Sequence, residues 1–183
     1  MKPALAMAAV AALAAGCTSV ARQPEAAEPT PAATPAPAPD GTDPRIATAL
    51  KALGYTYDVT EDKDYKLVFE VSDDKRTQLV VINSNTEFYD QLEIREVWSP
   101  ALLVEDPLDA ALAMRLLRAN DKYKLGAWRV WPADKSGDKP QVYVVFAAQI
   151  DANAPDSVLS ATLDMVSHTA DELEKEIART DER

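Results

Sequence analysis

The stretch that decides the fold is Val142-Tyr-Val-Val-Phe-Ala-Ala-Gln-Ile150, in which an apolar residue stands at every second position. Alternate residues of a β-strand point to the same face of a sheet, so this pattern predicts a strand with one fully apolar face. Such a face needs an apolar cover, and the last segment of the chain provides one as an amphipathic helix. The apolar residues of that helix recur at steps of four and three: Leu159, Leu163, Val166, Ala170, Leu173 and Ile177. The same spacing is that of a short heptad seam, so a homodimer through this helix is the second interpretation.

Four segments with strand character lie further upstream. Residues 55–59 are followed by a polar turn, and residues 65–71 then alternate between apolar and polar side chains. Residues 79–82 are apolar on both faces, which favours a central strand, whereas residues 92–98 are more polar and predict a more exposed one. The short polar turns between these segments predict an antiparallel meander.

Two Asp-Pro pairs predict the starts of helices, because aspartate caps a helix and proline fits its first turn. A helix that opens at Asp43-Pro44 ends at Gly54, and a second one follows Asp106-Pro107 and ends before Asn120. Strands at residues 128–131 and 142–150 come next, separated by a polar loop. The fold class is therefore α+β, an antiparallel sheet of five to six strands with three helices in the order α-β-β-β(-β)-α-β-β-α.

Short motifs in this order resemble the YbjN family of bacterial sensory-transduction regulators, whose fold is similar to that of type III secretion chaperones. They are Leu53-Gly-Tyr55, the strand at 65–71, Leu116-Leu-Arg-Ala-Asn120 followed by Gly126 and Trp128, and Ala170-Asp-Glu172. The resemblance spans nearly the whole of residues 43–180. It implies a regulatory or partner-binding domain and carries over no catalytic residue. The type III secretion chaperones and most proteins of this kind are cytoplasmic, whereas the N-terminus of this chain predicts export.

The first 16 residues read as a secretory signal peptide. Lys2 supplies a positive charge before the apolar run Ala4-Leu-Ala-Met-Ala-Ala-Val-Ala-Ala-Leu-Ala-Ala15, which is shorter than the roughly 20 residues of a membrane-spanning helix. Leu13-Ala-Ala-Gly-Cys17 resembles a lipobox, the site at which bacterial lipoproteins are cleaved and their cysteine is acylated. Cys17 is the only cysteine of the chain. We expect it to carry the lipid, palmitate included, and the alternative is an ordinary signal with an incidental cysteine.

Several acyl chains on one cysteine make attachment effectively permanent, since each buried methylene contributes about 0.8 kcal/mol. The residue after the cysteine is Thr18 rather than the aspartate of the inner-membrane retention rule. We therefore expect attachment to the outer membrane, facing the periplasm. Residues 17–42 are then a lipidated tether, because the 24 residues from Thr18 to Gly41 are rich in Ala, Pro, Thr and Glu and extend to roughly 70 Å as polyproline II.

The net charge argues against nucleic acid as a partner. The chain has 19 basic and 30 acidic residues, a net charge of -11, and loss of Lys2 with the signal makes it -12. A phosphate backbone is held by clustered Lys and Arg, and no such stripe is visible in the sequence.

A search for catalytic or metal-binding patterns yields none. His168 is the only histidine and lies beside the apolar stripe of the last helix, so it reads as a partly exposed helix residue. Asp62 with Asp64, and Asp73 with Asp74, lack a calcium loop and read as turn formers. We expect no enzyme activity, no cofactor and no metal.

Trp131 is the one weak interface candidate. If Trp128 points into the core, Trp131 lies an odd number of residues along the same strand and points outward. Exposed aromatic residues are enriched in protein interfaces. The first hypothesis is an envelope-tethered module that binds an unknown envelope protein or peptide, and the alternative is a structural or stress-related envelope lipoprotein with no tight partner.

Overall fold

The computed structural model describes residues 41–71, 76–133 and 139–181, and has three helices and a six-stranded antiparallel sheet. This confirms the predicted α+β class and element order. The predicted signal peptide, Cys17 and all of the tether before Gly41 lie outside the described residues. The elements are α1 Pro44–Leu53, β1 Asp58–Val59, β2 Tyr65–Glu70, β3 Thr77–Tyr89, β4 Leu92–Glu105, α2 Ala110–Ala119, a 3-10 turn Asn120–Lys122, β5 Ala127–Pro132, β6 Gln141–Asp151 and α3 Asp156–Asp181.

The sheet has the strand order β1-β2-β3-β4-β6-β5. The first four strands form the predicted meander, and β6 then pairs with β4 along eleven residue pairs. Strand β5 forms the far edge and pairs only with β6 among the described strands. The apolar strand that decides the fold is therefore internal, as its buried faces require.

The predicted apolar stripe of α3 packs on one face of the sheet, which we call the inner face. Leu163, Val166 and Ala170 are fully buried there against Val97 and Phe146. The helix crosses β3, β4 and β6. Among the described residues, the buried core runs from Ile46 to Leu173. A domain with a hydrophobic core of its own can fold alone, so we expect residues 41–183 to do so.

The predicted caps of α1 are confirmed. The carboxylate of Asp43 accepts a hydrogen bond from the backbone N–H of Arg45, and Gly54 ends the helix with a φ of 76° in the left-handed region. The prediction for α2 is wrong by one turn. Asp106 still pairs at the end of the sheet, donating its N–H to the carbonyl of Pro140, and Asp109 caps the helix instead through Leu112.

The predicted strand at residues 55–59 is reduced to the two residues of β1, whereas β3 and β4 are much longer than predicted. At their far ends these two strands pair with each other from Thr86 with Arg95 to Tyr89 with Leu92, and only Ile94 and Arg95 of this stretch also pair with β6 among the described strands. We call this hairpin end the arm. No helix within the described ranges is long and apolar enough to cross a membrane.

Candidate functional site

Trp131 lies on the opposite face of the sheet from the helices, which we call the outer face. Trp128 points to the inner face and is 8% exposed, so the two tryptophans point in opposite directions as the alternation predicts. Trp131 is half-buried, because its ring meets that of Trp98 edge to face with 5.0 Å between the ring centres. Trp98 in turn donates from its ring nitrogen to the side-chain oxygen of Asn83 at 2.9 Å.

The two tryptophans belong to an apolar surface that crosses three strands of the outer face. Leu103 on β4 pairs with Tyr143 on β6, which pairs with Trp131 on β5. Leu103 is 47% and Tyr143 is 39% exposed. We call Trp98, Leu103, Trp131 and Tyr143 the outer patch. It combines rigid aromatic rings with accessible apolar side chains, the composition that protein interfaces favour.

The arm carries a second set of exposed apolar side chains, which sequence reasoning did not single out. Phe88 is 62%, Tyr89 76% and Leu92 46% exposed. Tyr89 and Leu92 are a cross-strand pair on either side of the turn at Asp90 and Gln91. The visible signal in the sequence was an aromatic pair beside a polar turn, a pattern that also fits an ordinary strand end.

Four charged residues meet at the base of the arm and on the inner face, in a group that we call the buried charge cluster: Asp43, Arg45, Glu93 and Arg95. Arg45 holds both carboxylates with one nitrogen, since its Nη2 lies 2.6 Å from Asp43 and 2.6 Å from Glu93. Arg95 donates to the other side of the group, 2.5 Å from Asp43. Glu93 and Arg95 are each 3% exposed, so the expectation of a more exposed strand at residues 92–98 is wrong at these positions.

The cluster stabilises its carboxylates in the ionised form. Hydrogen bonds from Arg45 lower the pKa of Glu93 to about 2, against a cost of burial that acts in the opposite direction. Burial raises the pKa of Asp43, but hydrogen bonds from Arg45 and Arg95 outweigh it and hold the pKa below its usual value. The hydrogen bonds that Arg45 donates to Glu93 and to Asp43 raise the pKa of its guanidinium group.

Further hydrogen bonds tie the cluster to its surroundings. Thr86 on the arm donates to Glu93 at 2.8 Å, and Arg95 donates to the backbone carbonyl of Asn83 at 2.8 Å. The carboxylates therefore face arginines and a hydroxyl rather than solvent, and their pKa values lie far below that of a general acid or base at neutral pH. The arrangement positions the first residues of the domain on β3 and β4.

The remaining residues that the sequence singled out do not converge. His168 is exposed on α3, and its Nδ1 lies 2.8 Å from the carbonyl oxygen of Asp164. Asp64 accepts from the backbone N–H of Ser84, and burial raises the pKa of its carboxyl group. Asp73 and Asp74 lie outside the described residues. Within the described ranges, no group of three or more His, Cys, Asp or Glu side chains is placed to hold a metal ion.

Fold and surface together define an α+β domain with one packed and one accessible sheet face. Residues 42–179 match the YbjN family, described as "putative bacterial sensory transduction regulator", and the chain belongs to this family. Its description is that of a regulatory protein and not of an enzyme. The structure is similar to the crystal structure of YbjN from E. coli, described as "a putative transcription regulator", with 11% identity, a TM-score of 0.45 and coverage of 74% of this chain and 90% of that one. No curated protein matches the chain.

Proposed function

We propose that this chain is an envelope lipoprotein whose YbjN domain is a non-catalytic adaptor or regulatory module that binds a protein partner through the outer patch. Membership of a family described as regulators supports the module. The outer patch is the single observation on which the proposed binding surface rests. Its apolar side chains stay accessible on a sheet whose other face is filled by the helices.

Lipidation of Cys17 is the anchoring half of the proposal. The lipobox-like Leu13-Ala-Ala-Gly-Cys17 and the Pro-rich segment that follows support it. A tether of roughly 70 Å lets the domain reach a partner while it stays attached to the outer membrane. Tethering also raises the effective concentration of the domain near envelope proteins, so a weak contact suffices.

Metabolic labelling of bacterial cells with a palmitate analogue tests the anchor. We expect the wild-type chain to be labelled and to fractionate with membranes, and Cys17→Ser to lose both properties. Ser19→Ala is the matched control, because it changes a neighbouring polar residue and leaves the thiol in place. A wild-type chain without label would refute lipidation of Cys17. It would not bear on the binding surface, which the next experiment tests.

Photocrosslinking in intact cells tests the surface. A benzophenone amino acid is placed at Tyr143 in the outer patch or at Leu117, which is 65% exposed on α2. We expect a discrete protein adduct from position 143 that weakens when Leu103→Ser is added, and no such adduct from position 117. Equal adducts from both positions, or none from either, would contradict a specific partner at this face, and none from either would favour the structural or stress-related alternative.

A further inference from the structure

A groove between α2 and α3 combines basic and aromatic side chains, and neither the packing of the fold nor the outer patch accounts for this combination. It has a volume of about 370 Å³, within the range of small-molecule sites. We call it the α2–α3 groove and define it by Arg118, Lys122, Tyr123, Trp128, Glu172 and Leu173. It opens on the helix side of the domain, whereas the outer patch lies on the other face of the sheet.

One wall of the groove is basic in an acidic protein. Between residues 115 and 129 the chain has five basic residues and only one acidic residue, against a net charge of -11 for the whole chain. Arg115 and Arg118, on α2, and Lys122, in the following 3-10 turn, line this wall together. The spacing of three and four residues places them along one side of the helix end.

Two of the three cations in this wall are unpaired. Arg115 forms an ion pair with Glu176 across the groove. Within the described part of the chain, the side chains of Arg118 and Lys122 form neither a hydrogen bond nor an ion pair, and both are exposed. Two free cations beside a cavity are available to a ligand at no cost of breaking internal ion pairs.

The floor of the groove is aromatic and packs on the core of the domain. Trp128 is 8% exposed and Tyr123 is half-buried, and both meet the ring of Phe146 edge to face, with centre distances of 5.2 and 4.7 Å. Leu173 of α3 completes the apolar part. A flat apolar group placed on this floor would contact preformed surfaces and leave its polar end at the basic wall.

We propose that the α2–α3 groove binds a small amphiphilic anion, a compound with an aromatic or aliphatic body and one carboxylate, sulfonate or phosphate group. The body lies on Tyr123, Trp128 and Leu173, and the anion lies between Arg118 and Lys122. Glu172 on the opposite wall limits the ligand to few negative charges, because a second anion would face a carboxylate. This site is independent of the proposed partner at the outer patch.

A pair of matched probes tests the proposal on the domain from Gly41 to Arg183. The probes are 8-anilino-1-naphthalenesulfonate and the uncharged N-phenyl-1-naphthylamine, which share an aromatic body and differ in the anion. We expect the sulfonate to bind, and Arg118→Gln/Lys122→Gln to weaken it about tenfold, equivalent to about 1.4 kcal/mol. Lys124→Gln, an exposed cation outside the groove, is the control and should leave the affinity unchanged. Glu172→Gln should tighten sulfonate binding.

The three tryptophan indole N–H signals in NMR spectra report where the probe sits. We expect the Trp128 signal to shift on titration with the sulfonate, while the signals of Trp98 and Trp131 on the outer face stay in place. Circular dichroism of each variant checks folding, which these exposed substitutions should preserve. Absence of sulfonate binding, unchanged affinity in the double variant, equal affinity for the two probes, or shifts confined to Trp98 and Trp131 would each overturn the proposal.

Discussion

Arg95 on β4 donates to the carboxylate of Asp43, the residue that caps α1, over a distance of 2.5 Å, although the two residues are 52 positions apart in the sequence. Both side chains are almost inaccessible to solvent. The same carboxylate accepts from Arg45, so the start of the domain is held to the base of the arm by ionised groups. Removing one member of such a group leaves a buried charge without its partner, which costs more than the pair itself contributes.

We predict strong coupling between Asp43 and Arg95. Asp43→Asn or Arg95→Gln alone should lower the free energy of unfolding by about 3 kcal/mol, since each leaves a buried charge behind. The double variant should lose at least about 1 kcal/mol less than the sum of the two. Urea unfolding of the four proteins measures this. The cycle of Glu105→Gln with Lys139→Gln, an exposed ion pair, is the control and should show almost no coupling. If the losses of unfolding free energy at Asp43 and Arg95 were additive, the two side chains would not be coupled as the buried charge cluster requires.

A second prediction concerns acid. The pKa of Glu93 is about 2 in the folded protein against an ordinary 4.5, so its carboxylate stabilises the fold above pH 4.5, and this contribution is lost as the pH falls towards 2. The difference corresponds to about 3 kcal/mol. Glu93→Gln should therefore lower the free energy of unfolding at pH 7 and reduce its fall between pH 5 and pH 2 by about that amount. Glu105→Gln, at an exposed ion pair, is the control for the loss of one negative charge. An identical acid slope in Glu93→Gln would show that another group sets it.

The periodicity of apolar residues in the sequence was enough to predict the strand and the helix that each bury one face. The apolar residues of β6 and α3 repeat at two and at 3.6 residues, and each repeat marks the surface that the other covers. The caps of α1 were predictable for the same reason, because Asp43 and Pro44 act within its first turn and Gly54 acts within its last. These signals are local, so a single sequence contains them in full.

The cluster and the groove were not predictable in the same way, because they depend on which distant residues meet. Glu93 and Arg95 lie on the same face of β4 as Val97, but their charges suggest a solvated strand face until Asp43 and Arg45 are placed beside them. Asp106 and Asp109 carry the same capping chemistry, and only the extension of β4 through Glu105 decides between them. The groove depends on how α2 lies beside α3, which no local pattern encodes.

A third prediction separates backbone conformation from crowding at two glycines. Gly126 has a φ of 84°, and an added Cβ would lie 2.9 Å from the carbonyl oxygen of Ala147 and 2.9 Å from the ring of Phe146. Gly54 has a φ of 76° with nothing near its added Cβ. Gly54→Ala should cost about 1 kcal/mol from conformation alone, and Gly126→Ala about 3 kcal/mol because the β5–β6 pairing must also shift. Thermal unfolding measures both, and equal losses would show that β5 moves freely.

The last prediction separates the structural role of the outer patch from its binding role. Edge-to-face ring pairs contribute about 1 kcal/mol beyond burial, so Trp98→Ala and Trp131→Ala should be coupled by that amount in a double-mutant cycle of unfolding free energies. Leu103→Ser should change stability by less than about 1 kcal/mol, since its side chain is 47% exposed. Loss of the crosslinked adduct from position 143 in Leu103→Ser, with nearly unchanged stability, then assigns the surface to binding. The opposite result would be that only Trp131→Ala loses the partner, in proportion to its loss of stability. The outer patch would then stabilise the sheet, and the binding surface would lie elsewhere.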